Sequence, residues 1–499
     1  MTSPISQAYA LQMNTRRYRT GIIVAILLLV SFTLYQFSFA PSSSNTTQSE
    51  KQFASHADTS PTQPPASLDY TLPLPPEYQQ TPHELKFCAE RFGLPYLKGF
   101  SNASANYCDG QSLSSLTCFW NQITNERSDS FCIGGPAILG VKENKYEMDC
   151  PPRTLTAEEL AQGIPRLNRL PSYWYQTGPR FILENYVRTG ASEEMRSILT
   201  SGSQEFSILI KREENLNNLW HRLMELFSLF MTLDVLQMTR NPATNKPYFS
   251  NEDMENTQVV ILDDIADDPY MELWSLFARK PIVRLSDLGA ETPSLGNIIV
   301  PLAGGSNPMW SGDWELHSCD HSELLRVFTK RVLDFYNVDD EPLAADRPLE
   351  LTFIDRKEKR LLVNKEEYIS ILKSKFPAIK IELVNFAAFS FAEQLKIVRR
   401  TDILVGVHGA GLTHGMFMPP GSTMVEILPP GVAHKGFRNM AKLLGHNYFS
   451  SHATDRPGQA ATGDWKYDDV FLEEDRFMEL MDVAIKSMYN RGTYNQDVT

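Results

Sequence analysis

The chain has 499 residues, of which 42% are hydrophobic, and a formal net charge of −13 at pH 7. That length provides for a large core divided over more than one domain, because single cores stop growing near about 250–300 residues. The acidic balance excludes the basic face expected of a nucleic-acid partner and gives no basic patch for a membrane surface.

Residues 1–20 are polar and carry Arg16, Arg17 and Arg19 near their end, while residues 21–40 contain no charged side chain. A stretch of that length is enough to cross a bilayer, and Pro41, directly after Ser38-Phe39-Ala40, is a poor context for signal cleavage. The sequence therefore predicts a cytoplasmic tail (1–20) and an uncleaved transmembrane signal anchor (21–40), with everything beyond facing the lumen or the exterior. Residues 41–82, rich in Ser, Thr, Pro and Gln, read as a luminal stem with a glycosylation acceptor at Asn45-Thr46-Thr47.

Five of the six cysteines, Cys88, Cys108, Cys118, Cys132 and Cys150, fall early in the head, and Cys319 stands apart. An even count in a luminal chain predicts disulfides, but six cysteines allow about fifteen connectivities and the sequence selects none. His317-Ser318-Cys319-Asp320-His321 has a metal-like look, yet no CxxC pair and no second cluster supports it, and no metal is assigned. Asn102-Ala103-Ser104 is a second sequon.

Residues 83–345 read as an N-terminal Rossmann-like acceptor domain. Leu219, Leu223, Leu226 and Phe230 repeat at helical spacing in a helix predicted over 215–238, and that stripe is core. Residues 259–262 form a buried strand that runs into Asp263 and Asp264, acids at a strand's carboxyl end and so candidates for chemistry. A strand over 298–302 leads to a loop with three glycines, two tryptophans, Asp313 and Glu315, a set suited to gripping a polyol. The alternative for that loop is a structured turn whose tryptophans pack inward. A helix over 322–335 and a linker over 339–348 follow.

Residues 346–499 read as a C-terminal nucleotide-sugar-binding domain with a closing helix. A strand over 349–354 precedes a basic run in which Arg356 and Arg360 are candidates to neutralise a diphosphate, while Lys357 and Lys359 are assigned to a solvated turn. A helix over 365–375, a strand over 379–384 and a helix over 390–399 lead to a buried strand over 402–407. His408-Gly409-Ala410-Gly411 then turns the backbone sharply, and the helix predicted from 412 offers free amides to an anion, with His414 beside it. The next strand, 423–428, carries Glu426, the candidate for holding ribose hydroxyls. Gly409, Gly411 and Gly415 approximate a dinucleotide fingerprint, with the third glycine one place late. These elements give a βαβαβαβ order, that of a doubly wound domain, and helices over 436–444 and 471–489 follow.

Asp-x-Asp, the metal-holding motif of single-domain nucleotide-sugar transferases, does not occur in the chain. The stretch VGVHGAGLTHGMFMPPGSTMVEILPP resembles the signature of the family-61 glycosyltransferases, and ILDDIADDPYMELW, PLAGGSNPMWSGDWE and FIDRKEKRLLVN resemble further blocks of that family in the same order. The cysteine-bearing start of the head most resembles the EGF-domain-specific O-GlcNAc transferases and their fungal relatives. The resemblance implies an α/β, GT-B-like fold of two facing Rossmann-like domains, here preceded by a single transmembrane helix and a disordered stem.

It also implies an inverting transferase that moves a sugar from a UDP donor, GlcNAc first and xylose as the alternative, to a protein or glycan hydroxyl. The chain would then be a single-pass type II protein of the Golgi or endoplasmic reticulum membrane with a luminal head. Inversion needs a general base, sought among Asp263, Asp264, Asp313 and Glu315. Arg356, Arg360 and the turn His408-Gly409-Ala410-Gly411 would stabilise the diphosphate. No resident cofactor is expected, and assistance by Mn²⁺ is left open. Two readings from other classes compete: a luminal NAD-dependent dehydrogenase, and a membrane-anchored sugar binder without turnover.

Overall fold

Two β-sheets organise the computed structural model, which describes residues 72–497 apart from breaks at 80–82, 84, 125–126, 141–143, 191–192, 200–203, 214–216, 289–294, 341–346, 456–463 and 491–494. The tail, the 21–40 segment, its neighbouring sequon and most of the stem lie outside the described residues. The membrane-spanning element of the expected fold is corrected: among the described residues no helix is long and apolar enough to cross a membrane, so a transmembrane helix is not supported. The helix Leu219–Met238 has 20 residues, but it carries Arg222, Glu225 and Asp234 and is buried inside protein.

The first sheet takes β1 (Ser104–Asn106), β2 (Ser115–Gln122), β3 (Ser128–Gly140), β4 (Lys145–Glu147), β5 (Val187–Arg188), β6 (Phe206–Ile210), β7 (Thr257–Ile261), β8 (Val283–Arg284) and β9 (Leu295–Val300). Their order is β1-β2-β3-β9-β6-β7-β8, with β4 paired to β3 and β5 to β4 off this path. Strands β9, β6, β7 and β8 are parallel, whereas β3 meets β9 antiparallel. A Rossmann-like parallel half is thus joined to an antiparallel ribbon. Cys118 and Cys132 are register partners on β2 and β3 and form a disulfide there. Cys108 pairs with Cys150, and Cys88, on helix α1 (Lys86–Phe92), pairs with Cys319.

The second sheet takes β10 (Glu350–Ile354), β11 (Lys380–Val384), β12 (Ile403–Val407), β13 (Thr423–Leu428), β14 (Asn447–His452) and β15 (Asn495–Asp497), all parallel, in the order β11-β10-β12-β13-β14-β15. Its central strands are near-continuous apolar runs, as strands covered on both faces must be. The strand order reverses between β10 and β12 in this sheet and between β6 and β9 in the first. In open α/β sheets ligands bind beyond the carboxyl ends of the strands at such reversals.

Between the sheets lies α2 (Leu219–Met238), started by the Asn218 side chain accepting from the Trp220 amide and buried around its circumference. Phe227 and Phe230 of α2 share one core with Phe328 of α3 (Glu323–Phe335), Leu395 of α4 (Phe391–Arg399), Met416, and Phe437 of α5 (Gly436–Leu443). Ser390 and Glu393 form a reciprocal capping box at the start of α4. The outer face of each sheet has its own smaller core.

Candidate active site

The reversal of the second sheet brings the basic run after β10 against the glycine turn after β12. Arg356 and Arg360 turn inward while Lys357 and Lys359 stay exposed. Both guanidinia crowd Gly409, where an added Cβ would lie 2.8 Å from Arg356 Nη1 and 3.0 Å from Arg360 Nη1, and where φ is +149°. Glycine is needed here on both counts. Arg360 Nη1 donates to the His408 carbonyl at 2.7 Å, and Arg356 Nε to the Lys359 carbonyl at 2.7 Å. Among the described residues neither arginine is paired with a carboxylate, and Arg360 Nε is buried without a partner. Burial lowers both guanidinium pKa values, and that of Arg360, pushed down further by Arg356, falls to about 10. Two desolvated cations without a counter-charge form a site built for an anion. Beside them starts the 3₁₀ helix Ala410–Phe417, tighter than the α-helix expected from 412.

His408 faces this anion site from the end of β12. Its Nδ1 lies 2.5 Å from Glu426 Oε1, and Tyr448 Oη donates to Glu426 Oε2 at 2.5 Å. Burial lowers the His408 pKa against the pull of Glu426, so the ring is neutral, with Nδ1–H toward the carboxylate and a lone pair on Nε2. Glu426 is fully buried with one partner on each oxygen, so the carboxylate orients His408. His414 is 2% exposed, its nitrogens lie 2.8 Å from the Gly411 carbonyl and 2.7 Å from Gln394 Oε1, and its ring stacks on Phe386, so it braces the turn. Trp465 closes the anion site from above, its ring 5.4 Å from that of His408 and 5.4 Å from the Arg360 guanidinium carbon.

The first lobe answers with Asp313. Its Oδ2 lies 3.1 Å from His434 Nε2, its carbonyl accepts from the Lys435 amide at 2.7 Å, and the His434 ring is 4.8 Å from that of His408. The Gly436 amide donates to His434 Nδ1 at 3.2 Å, so Nε2 carries the proton and donates to Asp313. Trp314 is 59% exposed and meets His434 edge-on, whereas Trp310 packs inward, so the loop splits the two roles weighed for its tryptophans. The other acids stand elsewhere. Asp263 is locked to Arg212 in a buried ion pair, with Oδ1 2.7 Å from Nη2 and Oδ2 accepting from the Arg212 amide at 2.7 Å. Asp264 is exposed past β7, and Glu315 is exposed with its carbonyl held by Asn439.

At the reversal of the first sheet stands Glu213, which carries no sequence signal beyond being one acid among many. Its Oε1 accepts from the Gly305 amide at 3.2 Å, while Oε2 is buried without a hydrogen bond, 3.9 Å from His221 Nδ1. His221 meets Trp310 at 4.2 Å, and Trp174, 55% exposed, lies over Gly305. Burial, reinforced by Glu225, pushes the Glu213 carboxyl up to about 9, so it is a neutral acid at neutral pH. The folded protein keeps that proton between the ordinary value of 4.5 and about 9, where the unfolded chain has lost it, so stability falls as pH rises through this window. Glu213→Gln preserves the neutral form. Its melting temperature should match the wild type near pH 4.5 and exceed it increasingly up to about pH 9, by at most about 1.4 kcal/mol per pH unit. A gap independent of pH in thermal melts would show that Glu213 is already ionised.

The profile of the family described as Glycosyltransferase 61 matches residues 160–425, more than half of the 499-residue chain and a span that includes Glu213, Asp313, Arg356, Arg360 and His408 and ends before Glu426, His434 and Trp465. The chain is 26% identical over 243 residues to "EGF domain-specific O-linked N-acetylglucosamine transferase" of Drosophila melanogaster, a match covering 46% of this chain and 42% of that protein. The protein of the same name from Bos taurus is 24% identical over 246 residues, covering 47% and 42%, and that from Xenopus laevis is 30% identical over 141 residues, covering 28% and 26%. The matches span less than half the length of these curated relatives.

Proposed function

The chain belongs to the glycosyltransferase 61 family, and from that premise we propose that it transfers a sugar from a nucleoside diphosphate donor to an acceptor hydroxyl with inversion. The observation that carries the reading is the pair of desolvated arginines without a counter-charge, set around Gly409 at the reversal of a parallel sheet. In this reading the acceptor oxygen attacks the anomeric carbon, the bond from that carbon to the diphosphate oxygen breaks, and the acceptor proton passes to a base. Arg356 and Arg360 take up the negative charge that grows on the departing diphosphate. Trp465 offers a flat face to the nucleobase. His408, neutral and held by Glu426, accepts a hydrogen bond from a donor hydroxyl through Nε2.

Asp313 is the base, oriented by His434. An in-line displacement needs the base across the reacting carbon from the leaving group, and Asp313 comes from the lobe opposite the arginines, whereas His408 stands beside them. Glu213 is too weak an acid to serve as the resting base. Trp174, exposed close to it, offers the acceptor a ring face. The donor sugar is GlcNAc, the sugar in the relatives' name, with xylose as the runner-up, and the acceptor is a protein or glycan hydroxyl. The three disulfides support a home in the oxidising secretory lumen.

The test is UDP release from a panel of nucleotide sugars by the purified chain, with Mn²⁺ and with EDTA. Release from UDP-GlcNAc, faster than from UDP-xylose, is expected. Turnover of no donor, together with binding of NAD, would replace the transferase by the dehydrogenase reading.

A further inference from the structure

Away from this site, the start of α3 and the residues ahead of α1 bring together His83, His321 and Glu323, one ligand atom from each lying within 4.8 Å of the others. We propose that these three side chains form a binding site for one zinc ion, outside the catalytic machinery. His83 and Glu323 side chains are each 3% exposed, with His83 Nε2 2.8 Å from Glu323 Oε2. His321 Nε2 is buried without a hydrogen bond, 3.9 Å from Glu323 Oε1, and His83 Nδ1 is likewise buried without one.

The tautomer of His321 is set. Its Nδ1 lies 2.7 Å from Asp320 Oδ1 and must donate to that carboxylate, which leaves the lone pair on the buried Nε2 facing Glu323. A carboxylate behind one imidazole nitrogen and a bare lone pair on the other is the arrangement that orients a zinc-binding histidine. The two imidazole rings are stacked at 3.9 Å with 12° between their planes, so a proton on each would set two cations face to face. A divalent ion satisfies both imidazoles and the carboxylate together.

Imidazole and carboxylate ligands suit zinc, and tetrahedral coordination at about 2.0–2.1 Å places ligand atoms about 3.4 Å apart, so the cluster closes by side-chain rotation. The fourth position goes to water. The frame is rigid, since the Cys88–Cys319 disulfide and the Ser322 hydroxyl, which donates to the Phe92 carbonyl at 2.8 Å, both tie this corner to α1. A cavity of about 410 Å³ lined by Asp320, His321 and Glu323 gives the ion its path. Cys319 is not a ligand, because its sulfur is in the disulfide.

The full chain, stripped with chelator and dialysed, is titrated with Zn²⁺ against a chromogenic chelator. One ion per chain bound below micromolar concentration is expected, with affinity lost at least about 100-fold in His321→Ala and Glu323→Gln and reduced about 10-fold in Asp320→Asn. His317→Ala, at a neighbouring histidine outside the cluster, should bind as the wild type does. Substitution with Co²⁺ reads the site without any variant, through the visible bands of a tetrahedral nitrogen and oxygen environment. Absence of stoichiometric zinc from the wild type, or zinc binding unchanged in both ligand variants, overturns the proposal.

Discussion

Exchanging Arg356 or Arg360 for Gln should lower kcat/KM for the nucleotide-sugar donor by about 10²–10³-fold, the range seen when one preorganised stabiliser of transition-state charge is removed. The loss should fall mainly on kcat, because the diphosphate gains negative charge only as its bond to the sugar breaks. Both guanidinia are already desolvated and without a carboxylate partner, so the free enzyme bears the cost of holding them, and the growing charge relieves it. Arg360→Lys should recover only part of the activity, since Arg360 spans the His408 carbonyl and the Trp465 face at once and an ammonium on a flexible stem does not. The variants should be no less stable than the wild type, as removing an unpaired buried cation relieves strain on the fold. Steady-state kinetics within threefold of wild type for both glutamine variants would move the diphosphate to another part of the cleft.

Asp313→Asn should reduce kcat by about 10³-fold, within the range of positioned general bases, while leaving the affinity for UDP unchanged. The amide keeps the size of the side chain and its backbone contact with Lys435 but accepts no proton. His434→Ala should cost less, about 10-fold, because it removes the group that orients Asp313 rather than the proton acceptor. The comparison separates the acids: Glu315→Gln, exposed and with its carbonyl held by Asn439, should be near wild type, and so should Asp264→Asn. Single-turnover rates with saturating acceptor and UDP affinity by calorimetry together check this. An active Asp313→Asn enzyme would leave proton removal to another group.

What could be read in the sequence follows from which signals are local. Strands β10, β12 and β13 are apolar runs flanked by turn residues and were legible nearly to the residue, and the start of α4 carries Ser390 and Glu393. β14 was not, because Asn447, Ser450 and Ser451 are polar yet buried and interrupt the run that would have marked it. The ribbon β1–β3 lay hidden in the cysteine-rich start, whose pairings depend on contacts as distant as Cys88 with Cys319. Arg356, Arg360 and Gly409 could be picked out as candidates because a basic run and a glycine turn each follow a strand, and the fold sets the two guanidinia beside that glycine. Glu426 stood out as an acid among apolar neighbours, but its role is set by His408 and Tyr448, which sequence spacing does not bring near it. Asp263 looked free and is held by Arg212 from another strand's end. Glu213, His434 and Trp465 have no motif at all; a raised carboxyl or a ring over a guanidinium exists only once the chain is folded.

The core that runs through α2 from one sheet to the other has a consequence for how substrates are told apart. Widening the cleft would pull Phe227, Phe230 and Phe328 from Leu395, Met416 and Phe437, and each large side chain brought into water costs about 1.5–3 kcal/mol. That cost favours walls that keep their spacing. If the chain transfers a sugar as proposed, a donor whose sugar overfills the gap should be refused by steric exclusion, while one that underfills it should bind too far from Asp313 to react, so the same span would select by size at both ends.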